Sequence, residues 1–134
     1  MAAGIALTDQ DRWDWLISVR RRTVHELSLG PWAVVLSCSA LKRKYRDVIR
    51  IAALENRNIA VHFLYLHADE NVLLRRVGAR QGHFMKATMV RQQLASLEEP
   101  GVDEGDAVTV DVDQSMEKVV VESLKLVRDI LGGF

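Results

Sequence analysis

Apolar and polar positions alternate along this chain in blocks that read as helices separated by short strands. After Thr8, the residues Trp13, Leu16, Ile17, Val24 and Leu27 recur at roughly helical spacing, and Gly30-Pro31 ends the run. Thr8 is placed to cap that helix, with Asp11 in the reciprocal position of a capping box, where glutamate is the usual choice. Residues 33–37 (AVVLS) are short, β-branched and continuously apolar, which predicts a buried strand. Helix returns over Ala40 to Arg50, with Leu41, Tyr45, Val48 and Ile49 inward and Lys42, Arg43, Lys44 and Arg46 around them. Asn56-Arg57-Asn58 predicts a turn, and residues 59–66 a second strand apolar enough to be buried on both faces. Asp69 can cap a third helix that runs to about Arg80, and Gln81-Gly82-His83-Phe84 interrupts it. Helix resumes near Lys86 and stops at Glu98-Glu99-Pro100-Gly101. Residues 107–112 predict a third strand. Ser115 then caps a final helix striped by Met116, Val119, Val120, Leu124, Val127 and Ile130.

Strands alternating with helices predict an α/β fold with right-handed crossovers and a mostly parallel sheet. Ligands in such folds sit at the carboxyl ends of strands, here Ser37-Cys38-Ser39, Leu66-His67-Ala68-Asp69 and Asp111-Val112-Asp113. Three strands are few for that architecture, which hints that part of the sheet is missing. The 134 residues suit a single domain, 1–134, and 49% of them are apolar, enough for a core without disulfides. The 18 basic and 18 acidic residues cancel, which argues against a dedicated nucleic-acid or membrane-surface module. Cys38 is the lone cysteine, so an internal disulfide framework and a multi-cysteine zinc site are excluded, and a reducing setting fits. No stretch approaches the ~18–20 apolar residues of a membrane span. The first residues lack the basic flank and apolar run of a signal peptide. The expectation is a cytoplasmic protein.

Two segments could carry chemistry. In Ser37 to Asp47 (SCSALKRKYRD) a strand ends on hydroxyl and thiol residues and a helix begins, so backbone amides face the ligand crevice, where anions are favoured. Lys42, Arg43 and Arg46 follow, and guanidinium groups suit carboxylates and phosphates. From the charges alone a solvated basic helix is the better reading, and only the strand-end placement makes the functional one competitive. In Leu73 to Met85, Arg76 and Arg80 are spaced to share one helical face leading into a glycine-bounded loop. Kinases use lid arginines to neutralise a transferring phosphoryl group and to exclude water, yet arginines so spaced commonly just face solvent. His83 reads as a phosphate contact or a lid packing residue rather than a general base. His25, His62 and His67 lack ligand-like spacing, and no metal is assigned to them. Asp111 and Asp113 are as well explained by capping and turn formation as by ligand contact. Trp13 and Trp15 read as core and groove lining, and Cys38 makes a poor candidate nucleophile.

Together these segments resemble the gluconate kinases, small P-loop sugar-acid kinases. The first residues, MAAGIALTDQDRWDWL, resemble the substrate-side pattern Gly-x-Pro-Leu-Thr-Asp-x-Asp-Arg-x-Pro-Trp-Leu, with Ala6 and Asp14 where proline is common. SCSALKRKYRD resembles the motif Cys-Ser-Ala-Leu-Lys-x-x-Tyr-Arg-Asp, RRVGARQGHFM the lid, and residues 94–120 the last strand with its nucleotide-side loop. The likeness covers essentially the whole chain. It implies a P-loop kinase-like, three-layer α/β/α fold and ATP- and Mg2+-dependent phosphorylation of D-gluconate to 6-phosphogluconate. By the same resemblance, Ser39, Lys42, Tyr45, Arg46 and His83 are expected on the substrate side. Arg76 and Arg80 are expected to reach the ATP phosphates from a lid over about 76–90, and Gln114 to border the adenine. No nucleic-acid or membrane partner is implied, while a homodimer is compatible with the family.

One absence is serious. No Gly-x-x-x-x-Gly-Lys-Ser/Thr occurs in these residues, and that loop cradles phosphates and offers a hydroxyl to magnesium. In the family it lies upstream of the position matched by Met1, so an N-terminally truncated kinase, inactive by itself, is the expectation. The related fold also places its first strand between those matched by residues 33–37 and 59–66. Without it, the two should expose apolar side chains and unpaired backbone groups, or else close up and pair. A non-catalytic product that binds a sugar acid or the full-length kinase is the competing reading. A shikimate-like kinase is a third, disfavoured by SCSALK and GHFM.

Overall fold

The structure is a computed structural model, and the residues it describes are 8–79 and 87–132. The chain folds as two compact units, Met1–Val61 with Gln92–Glu99, and His62–Arg91 with Pro100–Phe134.

The first unit is built on a pair of helices. Helix α1 (Asp9–Ser28) opens with the expected capping box: Asp11 N donates to Thr8 Oγ1 at 3.2 Å, and Thr8 N donates to Asp11 Oδ2 at 3.0 Å. Helix α2 (Arg43–Glu55) begins later than the apolar pattern predicts, because Ala40 takes a left-handed φ of 38° that cannot lie inside a helix. The two helices pack through Leu16, Tyr45 and Val48, flanked by Ile17, Cys38, Leu41 and Ile49. Arg20 Nη1 adds a hydrogen bond of 3.0 Å to the Val48 carbonyl. The segment predicted as the first strand, 33–37, is not one: it forms no ladder, and Val35 is 98% exposed. Its composition favours a strand, but a strand needs a neighbour to take its amides and carbonyls, and no described residue does so. Trp13, Trp15 and Trp32 are also exposed, so of the core and groove-lining places expected for the first two, the core is not one they take.

The second unit holds the sheet. Strands β1 (Phe63–His67) and β2 (Ala107–Asp111) pair in parallel, with Leu64 opposite Val108 and Leu66 opposite Val110. Between them in sequence run helix α3 (Glu70–Ala79) and helix α4 (Ala87–Ser96), and helix α5 (Met116–Ile130) follows β2. Ser115 Oγ accepts from Lys118 N at 3.2 Å, the predicted cap of α5. Val110, Val112 and Val119 form the buried cluster, with Ala68 and Leu126 against it. The apolar stripe of α5 is only partly used. Val119 is buried, whereas Met116, Val120 and Leu124 are exposed, because two strands make too narrow a platform to cover a whole helix face. Among the described residues, no helix is long and apolar enough to cross a membrane.

Candidate functional site

The turn from Cys38 to Lys42 sets up the first corner. Ala40 in its left-handed conformation reverses the chain, and three groups hold that strained position. The Arg46 side chain, 3% exposed, donates from Nη1 to the Ala40 carbonyl at 2.9 Å and from Nη2 to the Glu98 carbonyl at 2.9 Å. Glu98 N donates to the Leu41 carbonyl at 2.7 Å, and Glu98 Oε1 accepts from Arg43 N at 2.9 Å. Lys42, the N-cap residue of α2, supplies no capping side chain, so Glu98 caps the helix from 55 residues away. In the sequence Glu98 stands out only as part of a helix stop.

Charged groups gather beside this corner. Asp9, at the start of α1, accepts on Oδ1 from Lys42 Nζ at 3.1 Å and from the Tyr45 hydroxyl, and on Oδ2 from Lys44 Nζ. The Lys44, Tyr45 and Lys42 hydrogen bonds, in that order, hold its carboxyl well below the usual carboxylate range. Tyr45 is buried at the ring, and burial, reinforced by the Asp9 bond, pushes its phenol up. The Arg12 guanidinium carbon lies 5.8 Å from the centroid of the same ring. Burial also raises the Cys38 thiol, which keeps it protonated and unsuited to nucleophilic attack.

Of the residues expected on the substrate side, the structure brings Lys42 and Tyr45 onto one carboxylate, buries Arg46 beneath them and leaves Ser39 exposed in the turn. His83 lies outside the described residues, as does Arg80. Asp9 and Arg12 fall in the substrate-side pattern and Lys44 on the basic helix, but their convergence does not show in the sequence, since only folding brings Asp9 beside residues 33 to 36 positions away.

A second corner forms in the other unit, where β2 meets α5. Arg76 Nη2 donates to the carbonyls of Val112 and, at 3.1 Å, Gln114. Gln114 Nε2 donates to the Asp111 carbonyl and to Glu122 Oε2, both at 2.7 Å. Arg75 faces Asp113 at 3.6 Å. Thus Arg76 and Gln114, both expected at the nucleotide, lie at one strand end. Among the described residues no group of three or more His, Cys, Asp or Glu could hold a metal ion.

No family model matches the chain. It is 42% identical over 133 residues to a probable gluconokinase of Schizosaccharomyces pombe, covering 98% of this chain and 68% of that protein. It is 38% identical over 128 residues to the thermoresistant gluconokinase of Escherichia coli K12, covering 96% and 70%. Among solved structures, a gluconokinase from Sinorhizobium meliloti 1021 superposes with a TM-score of 0.78 at 42% identity, over 93% of this chain and 66% of that one. An unliganded sugar kinase from Janibacter sp. HTCC2649 gives 0.80 at 38% identity, over 93% and 68%. The chain thus spans about two thirds of the length of the relatives it matches. Its parallel strands and interleaved helices are the α/β arrangement of P-loop kinase-like proteins. With this identity and coverage the chain belongs to the gluconokinase family of kinases.

Proposed function

We propose that this chain supplies the sugar-acid side, the lid and the nucleotide-side loop of a cytoplasmic gluconokinase, which transfers the terminal phosphoryl group of ATP to D-gluconate. The observation that carries this reading is the first corner: Lys42 and Tyr45 converge on a single carboxylate at the turn whose sequence is the family's SCSALKxxYRD motif. A sugar acid offers the same chemistry, a carboxylate to accept charged hydrogen bonds and hydroxyls for Ser39. Arg46 supports the site by bracing the left-handed turn, since its nitrogens are turned onto backbone carbonyls. Arg76, anchored on the β2–α5 joint, fixes the base of a lid over about 76–90 from which Arg80 and His83 would meet phosphate. Gln114 is held by Asp111 and Glu122 where the resemblance puts the adenine.

ATP with Mg2+ is what a kinase of this family is expected to use. The residues at hand do not fit the metal: the described ones assemble no metal-binding group, and the 134 contain no Gly-x-x-x-x-Gly-Lys-Ser/Thr. The same missing motif favours a second reading, a non-catalytic binder of sugar acids. A coupled ADP-release assay on the chain joined to a phosphate-loop segment from a gluconokinase relative tests the first reading. Gluconate should turn over far faster than shikimate or nucleoside monophosphates. Equal or better turnover of shikimate removes the assignment.

A further inference from the structure

Three cations surround the Tyr45 ring: the Arg12 guanidinium and the Lys42 ammonium at 5.8 Å from its centroid, and the Lys44 ammonium at 5.9 Å. One carboxylate, Asp9, answers them, through Lys42 and Lys44 alone. Four other acids of this unit are engaged elsewhere. Asp11 is bonded to Thr8, Asp14 to Gln10, Asp47 to Arg50, and Glu98 Oε1 to Arg43 N. Among the described residues Arg12 has no ion pair, so the cluster holds two positive charges more than it balances. Uncompensated like charges at such separations repel, and a surplus of this kind favours an added anion.

The cluster also has the geometry of a carboxylate seat. Two ammonium groups and a phenol hydroxyl divide themselves between the two oxygens of one carboxylate. The phenol is fixed, because its ring is buried against Leu16 and Val48. The present occupant is not fixed to the same degree: the Asp9 side chain is 47% exposed, and the side chains of Lys42 and Lys44 are 28% and 49% exposed. Asp9 stands in the first turn of α1, where the helix N-terminus still favours its charge if it swings away.

We propose that Lys42, Lys44, Arg12 and the Tyr45 hydroxyl form the seat for the substrate carboxylate, and that Asp9 is its resident counter-ion, displaced when a sugar acid binds. This rests on the gluconokinase reading and adds to it Arg12, Lys44 and an internal competitor. Asp9 therefore keeps the empty seat from collecting stray anions, and the substrate's carboxylate takes over its two oxygens' hydrogen bonds.

The test uses the full chain, with its lysine side chains observed by NMR during titration with D-gluconate, neutral sorbitol and acetate. Gluconate should shift the Lys42 and Lys44 ammonium signals saturably, and sorbitol should not. Asp9→Asn, which keeps shape but removes the competing charge, should bind gluconate roughly five- to tenfold more tightly than wild type, and Lys44→Gln should bind it several-fold more weakly. Weaker or unchanged binding by Asp9→Asn overturns the exchange, as does absence of any lysine shift in wild type. Gluconate binding with both lysines silent overturns the seat while leaving the gluconokinase reading standing. Acetate binding as tightly as gluconate keeps the seat and sinks that reading instead.

Discussion

The two corners, each just before a helix, use arginine alike and differ in what surrounds it. In each, a guanidinium donates to a backbone carbonyl of the turn that precedes a helix: Arg46 to Ala40, with the distant Glu98 carbonyl as its second acceptor, and Arg76 to Val112 and Gln114. The first corner is over-supplied with cations, with Arg12, Lys42 and Lys44 around one carboxylate. The second is lined by acids and an amide, with Asp113 against Arg75 and Glu122 accepting from Gln114. A surplus of positive charge suits a site for a small organic anion. A corner whose charged groups and amide are bonded internally suits the uncharged face of a ligand. The segments leading into them differ as well: β2 is a paired strand and buries Val110 completely, while residues 33–37 form no ladder and leave Val35 bare.

The largest expected effect tests whether the two corners suffice for catalysis. The 134 residues by themselves should release no ADP with gluconate, because nothing in them replaces a loop that positions the β and γ phosphates. A sample turning over gluconate at a rate typical of kinases would show that the corners need no such loop. Next in size is the lid. In the chain joined to a phosphate loop, Arg80→Ala should lower kcat on the order of a hundredfold and leave the KM for gluconate nearly unchanged, since the charge it meets develops on phosphate. Steady-state kinetics showing the loss in KM alone would move Arg80 to the sugar-acid corner.

Arg46→Ala should destabilise the first unit by about 3 kcal/mol, because a buried guanidinium is lost and the carbonyls of Ala40 and Glu98 are left without their donor. Urea denaturation followed by circular dichroism measures this, and a change below about 0.5 kcal/mol would make the arginine a surface group. The contrast between β2 and residues 33–37 is sharpened by a matched pair. Val110→Ala should cost roughly 2 kcal/mol and Val35→Ala less than about 0.5 kcal/mol, despite the identical chemistry, because only the first opens a cavity. Equal costs would mean that residues 33–37 are packed in solution.

The smallest effect is a pH dependence. The phenol of Tyr45 is raised by burial and then by Asp9, against the opposing pull of Arg12 and Lys44. A raised pKa in the folded state means that its contribution to stability is fully present below the unfolded tyrosine value of about 10 and is lost as pH rises through the folded value. The stability difference between wild type and Tyr45→Phe should hold level up to about pH 10 and shrink above it. A difference that shrinks already between pH 7 and 9 would show that the phenol is not buried against Asp9.

Much of the local structure was legible in the sequence because it is decided within a few residues. The Thr8–Asp11 capping box, the Ser115 cap and the Asn56 turn, where Asn58 N donates to Asn56 Oδ1 at 2.9 Å, all follow from side chains meeting backbone nearby. The α/β order and the family motifs were legible for the same reason, since they are written as runs and spacings. What only the tertiary structure decided is whatever needs a distant partner. The AVVLS run has the composition of a strand, yet strand formation depends on a neighbour's hydrogen bonds, and none of the described residues provides them. The start of α2 depends on Glu98 and on a left-handed Ala40 held by Arg46, and neither shows in a pattern of apolar spacing. The convergence of Asp9 with Lys42, Lys44 and Tyr45 likewise belongs to the packing of α1 on α2: charge is written in the sequence, but which charges meet is set by the fold.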